Sequence, residues 1–214
     1  MKFNIGIDID NTVSDTIETW MCFTEKILKE QGITPKRKLG IFSTTDAFGI
    51  ERGSELHKLV KLKNQELNKT NWKDYKVIKG AKKNLQKLKK LGYRLIFISA
   101  RSDNYFGDAY KISKDWFDFV GIPYDKIICN CEDKGLACKN ENINILIDDG
   151  LQYCEMAVKN GCKAIYFDDE NQITKQSGEN NNINVYVCKS WDEIFNQILT
   201  LTKEEENERL DFRY

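Results

Sequence analysis

The 214-residue sequence lacks an excess of charge of either sign, because 33 Lys and Arg residues balance 33 Asp and Glu residues. A general nucleic-acid binder needs a basic excess to neutralise phosphates, so nucleic acid is not an expected partner. Long apolar runs are also missing, and no uncharged stretch reaches the ~18 residues of a membrane-spanning helix. A membrane is therefore not an expected partner. With only 2 prolines and no low-complexity tract, the sequence does not suggest a disordered chain.

A secretory signal is missing too. The first apolar run is interrupted by Asp8 and Asp10, too early for the hydrophobic region of a signal peptide. Without such a signal, the odd number of cysteines, 7, predicts reduced thiols in a cytoplasmic protein. Cys129, Cys131 and Cys138 lie close together in the sequence. Their spacing matches no paired CxxC motif, which favours apolar packing over structural zinc.

Short apolar segments alternate with amphipathic ones along most of the chain, which predicts an α/β fold with a parallel sheet. We expect a Rossmann-like sheet with helices on both faces. The expected strands span residues 3–10, 93–99, 126–130, 143–147, 163–167 and 185–188. The expected helices span residues 80–91, 108–120 and 151–159, and a last one begins at Ser190 with a capping box to Glu193.

Residues 14–76 interrupt this alternation with helical patterns and no convincing strand. Asp15 can cap a helix whose apolar face includes Trp20, and a second helix is expected over about 53–67. We therefore predict a core of residues 1–13 and 77–214, with a small helical cap of residues 14–76 inserted after the first strand. Residues 171–184 read as a polar loop, and the tail from Lys203 reads as a helix extension.

The strongest chemical signal follows the first strand, in Asp8-Ile9-Asp10-Asn11-Thr12. The two-residue period of a strand puts Asp8 and Asp10 on the same side. Carboxylates are costly to bury, and ligands bind at the carboxyl ends of strands in open α/β sheets. A cation or reaction site is therefore favoured over a pair of turn or cap residues.

Three later segments place further chemistry at expected strand ends. They are Ser99-Ala100-Arg101, Lys134 and Asp148-Asp149. Each has a simpler interpretation when taken alone: a serine that begins a loop, a solvated lysine, or an aspartate that caps the next helix. Arg101 suits either a phosphate or other anion, or a surface carboxylate.

The order of these four motifs resembles that of the haloacid dehalogenase-like hydrolase superfamily, over residues 1–13 and about 77–200. A closer resemblance is to its 5'(3')-deoxyribonucleotidase branch and bacterial nucleotidase-like relatives. It rests on the helical insert, the LIDDG segment and the SWDEIFNQIL helix. Animal deoxyribonucleotidases carry Ser-Pro in the second motif where this sequence has Ser99-Ala100. Specificity for pyrimidine deoxynucleotides therefore stays open.

The resemblance implies a Mg²⁺-dependent phosphomonoesterase. Asp8 would be the nucleophile that forms an aspartyl phosphate, and Asp10 the general acid and base. Asp8, the backbone carbonyl of Asp10, and Asp148 would bind Mg²⁺, with Asp149 supporting them or exchanging roles with Asp148. The groups expected to hold the phosphoryl oxygens are Thr12, Ser99, Ala100, Arg101, Lys134 and the backbone amides of residues 9–11.

The cap aromatics suggest a nucleotide as the small phosphorylated substrate. Phe42 and Phe48 are better candidates for ligand contact than Trp20, which the pattern places in the core. His57 is expected at the surface or in helix packing. The alternatives are a phosphatase for another metabolite such as a sugar phosphate, a phospho-accepting signalling module of the receiver type, and a catalytically silent binding protein.

The intact pair of Asp8 and Asp10 favours a phosphatase over a dehalogenase or a silent homologue. A receiver module would carry its acid pair at the first strand and its phospho-acceptor on a later one, and it would lack a cap insert. The sequence does not fix the oligomeric state, and a homodimer remains compatible with it.

Overall fold

The computed structural model of the protein describes residues 3–169 and 184–211. Within them, six strands form one parallel sheet in the order β3-β2-β1-β4-β5-β6. The strands are β1 (Asn4–Ile7), β2 (Arg94–Ile98), β3 (Lys126–Ile128), β4 (Ile145–Asp148), β5 (Lys163–Phe167) and β6 (Val185–Cys188). The first strand therefore lies in the middle of the sheet, between β2 and β4.

Helices connect these strands, and the first of them form the insert between β1 and β2. They are α1 (Thr16–Glu30), α2 (Thr44–Ala47), α3 (Glu55–Thr70), α4 (Ala81–Lys90), α5 (Asp103–Phe106), α6 (Ala109–Val120), α7 (Lys134–Asn140), α8 (Leu151–Lys159) and α9 (Trp191–Asp211), with a 3-10 helix over Trp72–Asp74. No helix in the described ranges is long and apolar enough to cross a membrane.

The two faces of the sheet pack into different hydrophobic clusters, as expected for a sheet covered on both sides. Ile7 and Phe97 belong to the larger cluster, with side chains of α4, α6 and α9. Ile96 and Leu146 point to the other face and pack with side chains of α7 and α8. This arrangement confirms the predicted α/β fold with a Rossmann-like parallel sheet. Cys129 packs against the larger cluster, and Cys131 and Cys138 join the smaller one.

Several predicted boundaries shift. The first strand ends at Ile7 rather than at residue 10, because the chain leaves the sheet after Asp8 and turns at residues 11–13. Residues 44–47, for which no helix was predicted, form α2, and Ser43 caps it by accepting a hydrogen bond from the Asp46 N–H at 3.3 Å. Helix α9 continues through the charged tail to Asp211. The predicted polar loop at 171–184 lies, apart from Asn184, outside the described residues.

The two ends of the insert are tied together beside the first strand. The Asp15 N–H donates to the Lys76 carbonyl at 2.8 Å, and the Ile78 N–H donates to the Val13 carbonyl at 2.9 Å. Two hydrophobic clusters draw only on residues 17–60. These contacts support the division into core and cap at residues 13 and 77, which remains a proposal.

Candidate active site

The turn after β1 places two carboxylates at the carboxyl edge of the sheet. The Asp8 N–H still donates to the Ile147 carbonyl of β4 at 2.9 Å. Asn11 then adopts a left-handed conformation with φ of 59°, which Asn tolerates better than most residues. Its side-chain oxygen accepts a hydrogen bond from the Ile17 N–H of α1 at 3.0 Å. The chain therefore reverses at the strand end and holds Asp8 and Asp10 at the same edge.

Three carboxylates at the carboxyl ends of β1 and β4 lie together there. Asp8, Asp148 and Asp149 each offer an oxygen within 4.8 Å of the others. The strands β1 and β4 pair in parallel, so their carboxyl ends meet at one place. The Gly150 N–H holds Asp148 by donating to its Oδ1 at 2.8 Å. Two predicted metal ligands, Asp8 and Asp148, are thus neighbours, and Asp149 joins them through its side chain.

Lys134 is buried between two of these carboxylates. Its Nζ donates to Asp8 Oδ1 at 2.5 Å and to Asp148 Oδ2 at 2.6 Å, and its side chain is only 2% exposed. Gly135 lets α7 approach α8 closely, because a Cβ there would lie 2.6 Å from the Met156 carbonyl oxygen. The lysine that the sequence singled out therefore reaches the acidic cluster from the first turn of α7.

The acidic cluster has too little positive charge to balance it. Burial raises the pKa of Asp8 to about 7; Lys134 opposes this shift, and the charge of Asp148 adds to it. Burial also raises the pKa of Asp148, and burial with the charges of Asp8 and Asp148 raises that of Asp149 well above its ordinary value. One ammonium group thus faces three carboxyl groups. Uncompensated buried charge is costly, which favours an additional cation.

Asp10 has a partner of its own in Arg101. The guanidinium donates from Nη2 to Oδ1 at 2.7 Å and from Nε to Oδ2 at 2.9 Å, and the Thr16 hydroxyl donates to Oδ1 at 2.5 Å. Burial disfavours the Asp10 carboxylate, but the charge and hydrogen bonds of Arg101 and the bond from Thr16 outweigh it and lower the pKa of Asp10. The sequence left an anion or a surface carboxylate open for Arg101. Its side chain is 1% exposed, so its partner is a carboxylate of the site itself.

Thr12 touches the carboxylates themselves. Its hydroxyl lies 3.4 Å from Asp8 Oδ2 and from Asp149 Oδ1, and it accepts a hydrogen bond from the Asp149 N–H at 3.2 Å. Among the predicted phosphate-binding amides, the Asn11 N–H already donates to the Ser14 carbonyl at 2.6 Å. These contacts suit Thr12 to the positioning of the two aspartates.

A cavity of about 400 Å³ opens over the cluster. Ser99 reaches it from the end of β2, and its hydroxyl accepts a hydrogen bond from the Arg101 N–H at 3.1 Å. Most of the residues predicted from the four motifs line this cavity, namely Asp8, Asp10, Ser99, Ala100, Arg101, Lys134 and Asp149. Thr12 and Asp148 are fully buried and are not among its lining residues. The four motifs therefore meet at one place.

Four aromatic residues also line the cavity, and the sequence did not predict this for any of them. They are Trp20, Tyr105, Phe106 and Tyr153. Trp20 was expected in the core; it packs against the larger cluster but is only partly buried, and it also lines the cavity. The Tyr153 ring covers Lys134, with Nζ 4.3 Å from the ring centroid. Their positions in the sequence could have indicated this, because Tyr105, Phe106 and Tyr153 follow the ends of predicted strands by a few residues.

The aromatic residues that the sequence favoured for ligand contact lie elsewhere. Phe42 lines a second cavity, which shares Trp20 and Tyr105 with the first, and His57 lines that second cavity as well. Phe48 packs against the hydrophobic clusters of the insert. His57, expected at the surface or in helix packing, is a partly exposed residue of α3 that also lines this cavity.

The donor set fits a hard divalent cation. Asp8, Asp148 and Asp149 supply only carboxylate oxygens, which are the ligands that Mg²⁺ and Ca²⁺ prefer. The excess of negative charge around Lys134 also favours binding of a cation. These three residues are therefore the ones that would hold such an ion.

Residues 5–125 match the protein family described as haloacid dehalogenase-like hydrolase. The match covers more than half of the chain and includes the first two motifs. The chain therefore belongs to the haloacid dehalogenase-like hydrolase family. Among curated proteins, none matches the sequence significantly.

Solved structures with this fold include a predicted phosphatase from Clostridium acetobutylicum, which is 17% identical with a TM-score of 0.63 over 94% of this chain and 99% of that one. A phosphatase from Thermococcus onnurineus is 17% identical, with a TM-score of 0.54 over 92% and 98% of the two chains. An L-2-haloacid dehalogenase is 13% identical, with a TM-score of 0.57 over 92% and 100%. Similarity at these identities shows a shared fold.

The raised pKa of Asp8 predicts a pH-dependent effect on stability. A carboxyl with a pKa of about 7 in the folded protein, against an ordinary 3.8, binds its proton more tightly when folded. The metal-free protein therefore loses stability as pH rises between these values, and the loss persists above pH 7. We expect Asp8→Asn to raise the free energy of unfolding at pH 8 by about 1–3 kcal/mol, and to change it little at about pH 4.

Thermal or urea unfolding in EDTA at both pH values measures this difference. Glu132→Gln serves as the control, because this carboxylate is exposed on the neighbouring loop. A destabilised Asp8→Asn variant at pH 8, or the same effect at both pH values, would contradict the charge imbalance.

Proposed function

We propose that the protein is a Mg²⁺-dependent phosphomonoesterase that acts through an aspartyl phosphate, with (deoxy)nucleoside monophosphates as its substrates. The observation that carries this proposal is the meeting of Asp8, Asp10, Ser99 and Lys134 around one cavity beside a cluster of three carboxylates. The names of two similarly folded phosphatases are consistent with it.

Asp8 is the nucleophile. One of its oxygens attacks phosphorus, a bond forms between that oxygen and the phosphoryl group, and the ester bond to the leaving oxygen breaks. Water then attacks the same phosphorus and releases inorganic phosphate and the Asp8 carboxylate. Lys134 and Thr12 position this carboxylate, and Ser99 and Lys134 bind phosphoryl oxygens as negative charge develops on them.

Asp10 transfers the protons. It protonates the leaving oxygen in the first step and takes a proton from the attacking water in the second. Arg101 and Thr16 fix its orientation through three hydrogen-bond donors, at 2.7, 2.9 and 2.5 Å. An acid two residues from the nucleophile and lining the same cavity is what favours a hydrolase over a receiver-type module.

Asp8, Asp148 and Asp149 would hold the Mg²⁺ ion. When bound, the ion offsets the repulsion between the anionic nucleophile and the dianionic phosphate. Its positive charge would also offset the excess negative charge of the three carboxylates beside Lys134.

The aromatic lining of the cavity supports a nucleotide as substrate. Trp20, Tyr105, Phe106 and Tyr153 surround the polar groups, and stacking of a base on such a side chain contributes about 1–3 kcal/mol. A phosphatase for sugar phosphates is the alternative. A panel of nucleoside monophosphates and sugar phosphates separates the two, and equal kcat/KM values for both classes would remove the nucleotide assignment.

Hydrolysis of p-nitrophenyl phosphate tests the reaction itself. We expect turnover that requires Mg²⁺ and stops in EDTA, and a kcat at least about 10³-fold lower in Asp8→Asn, which lacks the nucleophile. Glu132→Gln should retain full activity, because its side chain is exposed outside the cavity. Turnover that persists in EDTA, or an active Asp8→Asn enzyme, would refute the mechanism.

The role of Asp10 predicts a dependence on the leaving group. A nucleoside is a poor leaving group that needs a proton, whereas p-nitrophenolate leaves without one. We therefore expect Asp10→Asn to lower kcat by about 10²–10⁴-fold for a nucleoside monophosphate, and by clearly less in the first half-reaction of p-nitrophenyl phosphate. Rapid-quench kinetics of the first turnover measures this step for both substrates. Equal losses would show that Asp10 does not act as the general acid.

A further inference from the structure

The second cavity, lined in part by Trp20, Phe42, His57, Lys61 and Tyr105, has a volume of about 300 Å³. It lies beside the catalytic cavity, since Trp20 and Tyr105 line both. Its position therefore suits it to the part of a substrate that extends away from the phosphoryl group.

The shared wall is fixed by hydrogen bonds. The Trp20 Nε1–H donates to Asn68 Oδ1 at 2.9 Å and to the Tyr75 hydroxyl at 2.9 Å. Asn68 Nδ2 in turn donates to the Tyr105 carbonyl at 3.3 Å. The two aromatic rings lie 6.3 Å apart between centroids. The wall between the cavities is thus built from α1, α3 and α5 together.

Among the described residues that line the second cavity, Lys61 carries a positive charge and His57 offers a neutral hydrogen-bond donor. None of the described residues that line it is Asp or Glu, whereas His57 and Lys61 lie one turn apart on α3. The Gly53 N–H donates to His57 Nδ1 at 3.1 Å, so Nε2 carries the ring proton and is a donor. Lys61 forms no ion pair with any residue of the described chain, unlike Lys58 of the same helix, which pairs with Glu55 at 2.6 Å.

We propose that the second cavity binds a second anionic group of the substrate, a phosphate or a carboxylate on the leaving group, through Lys61 and His57. This inference rests on the proposed function, because it treats the adjoining cavity as the site of phosphoryl transfer. Within the proposed phosphomonoesterase activity, the preferred substrates would be those whose leaving group itself carries negative charge, such as nucleoside bisphosphates or phosphorylated carboxylic acids, and nucleoside monophosphates would be weaker substrates.

Two matched pairs of compounds test the proposal. Glycerol 3-phosphate and 3-phosphoglycerate differ by a carboxylate, and adenosine 5'-monophosphate and adenosine 3',5'-bisphosphate differ by a phosphate. Affinities are measured by calorimetry with Mg²⁺ in the Asp8→Asn background, where turnover is not required. We expect at least one doubly anionic compound to bind about tenfold more tightly than its partner, as charge-assisted hydrogen bonds would give.

Variants of Lys61 and Lys58 test whether the preference for the doubly anionic compound arises in the second cavity. Lys61→Gln should reduce the ratio of affinities about tenfold, and Lys61→Arg should retain most of it. Lys58→Gln is the matched control and should leave the ratio unchanged, because Lys58 is on the same helix but does not line the cavity. A preference in only one pair identifies the anion as carboxylate or phosphate.

Equal binding of both members in both pairs would overturn the inference, as would a preference that Lys61→Gln leaves intact. These results are independent of catalysis. If the wild-type enzyme hydrolyses p-nitrophenyl phosphate while the pairs bind equally, the inference fails alone. If the pairs differ but no phosphomonoester is hydrolysed, the proposed function fails, and the second cavity is left as an anion-binding site without a substrate role.

Discussion

The constraint on which the site depends is an imbalance of buried charge. Asp8, Asp148 and Asp149 each have a carboxylate oxygen within 4.8 Å of the others, and among the described residues Lys134 is the ammonium group that contacts two of them. Packing of the sheet enforces this closeness, because β1 and β4 are paired neighbours and their ends cannot separate. Such a cluster is costly for the fold alone, and it is explained if the site is built to receive a cation and a phosphoryl group.

Asp10, the second acid, has hydrogen-bond partners of its own that this cluster does not share. Arg101 and Thr16 donate hydrogen bonds to the Asp10 carboxylate, while Lys134 donates to Asp8. Two carboxylates two residues apart therefore have different environments, and their pKa values move in opposite directions. In the metal-free protein these shifts are the reverse of what the proposed roles need, because a nucleophile is aided by a lowered pKa and a general acid by a raised one. The roles therefore rest on the geometry of the site, and a cation held by Asp8, Asp148 and Asp149 would lower the pKa of Asp8.

The sequence predicted the fold and most of the candidate site, because both follow from local patterns. Alternating strands and helices imply a parallel sheet, and residues that follow strands of such a sheet meet at one edge. Local patterns did not predict the pairing of Arg101 with Asp10 or the position of Trp20 in a cavity wall. Each depends on contacts between elements far apart in the sequence. One-turn helices such as α2 and α5 were missed because four residues carry no periodicity.

A crystal structure of the protein with Mg²⁺ and beryllium trifluoride, a mimic of a phosphoryl group, tests the central claim most directly. We expect the beryllium trifluoride bonded through beryllium to an Asp8 oxygen, with the metal ion held among Asp8, Asp148 and Asp149 and with Lys134 against the adduct. A metal ion bound elsewhere, or an adduct on a residue other than Asp8, would contradict it.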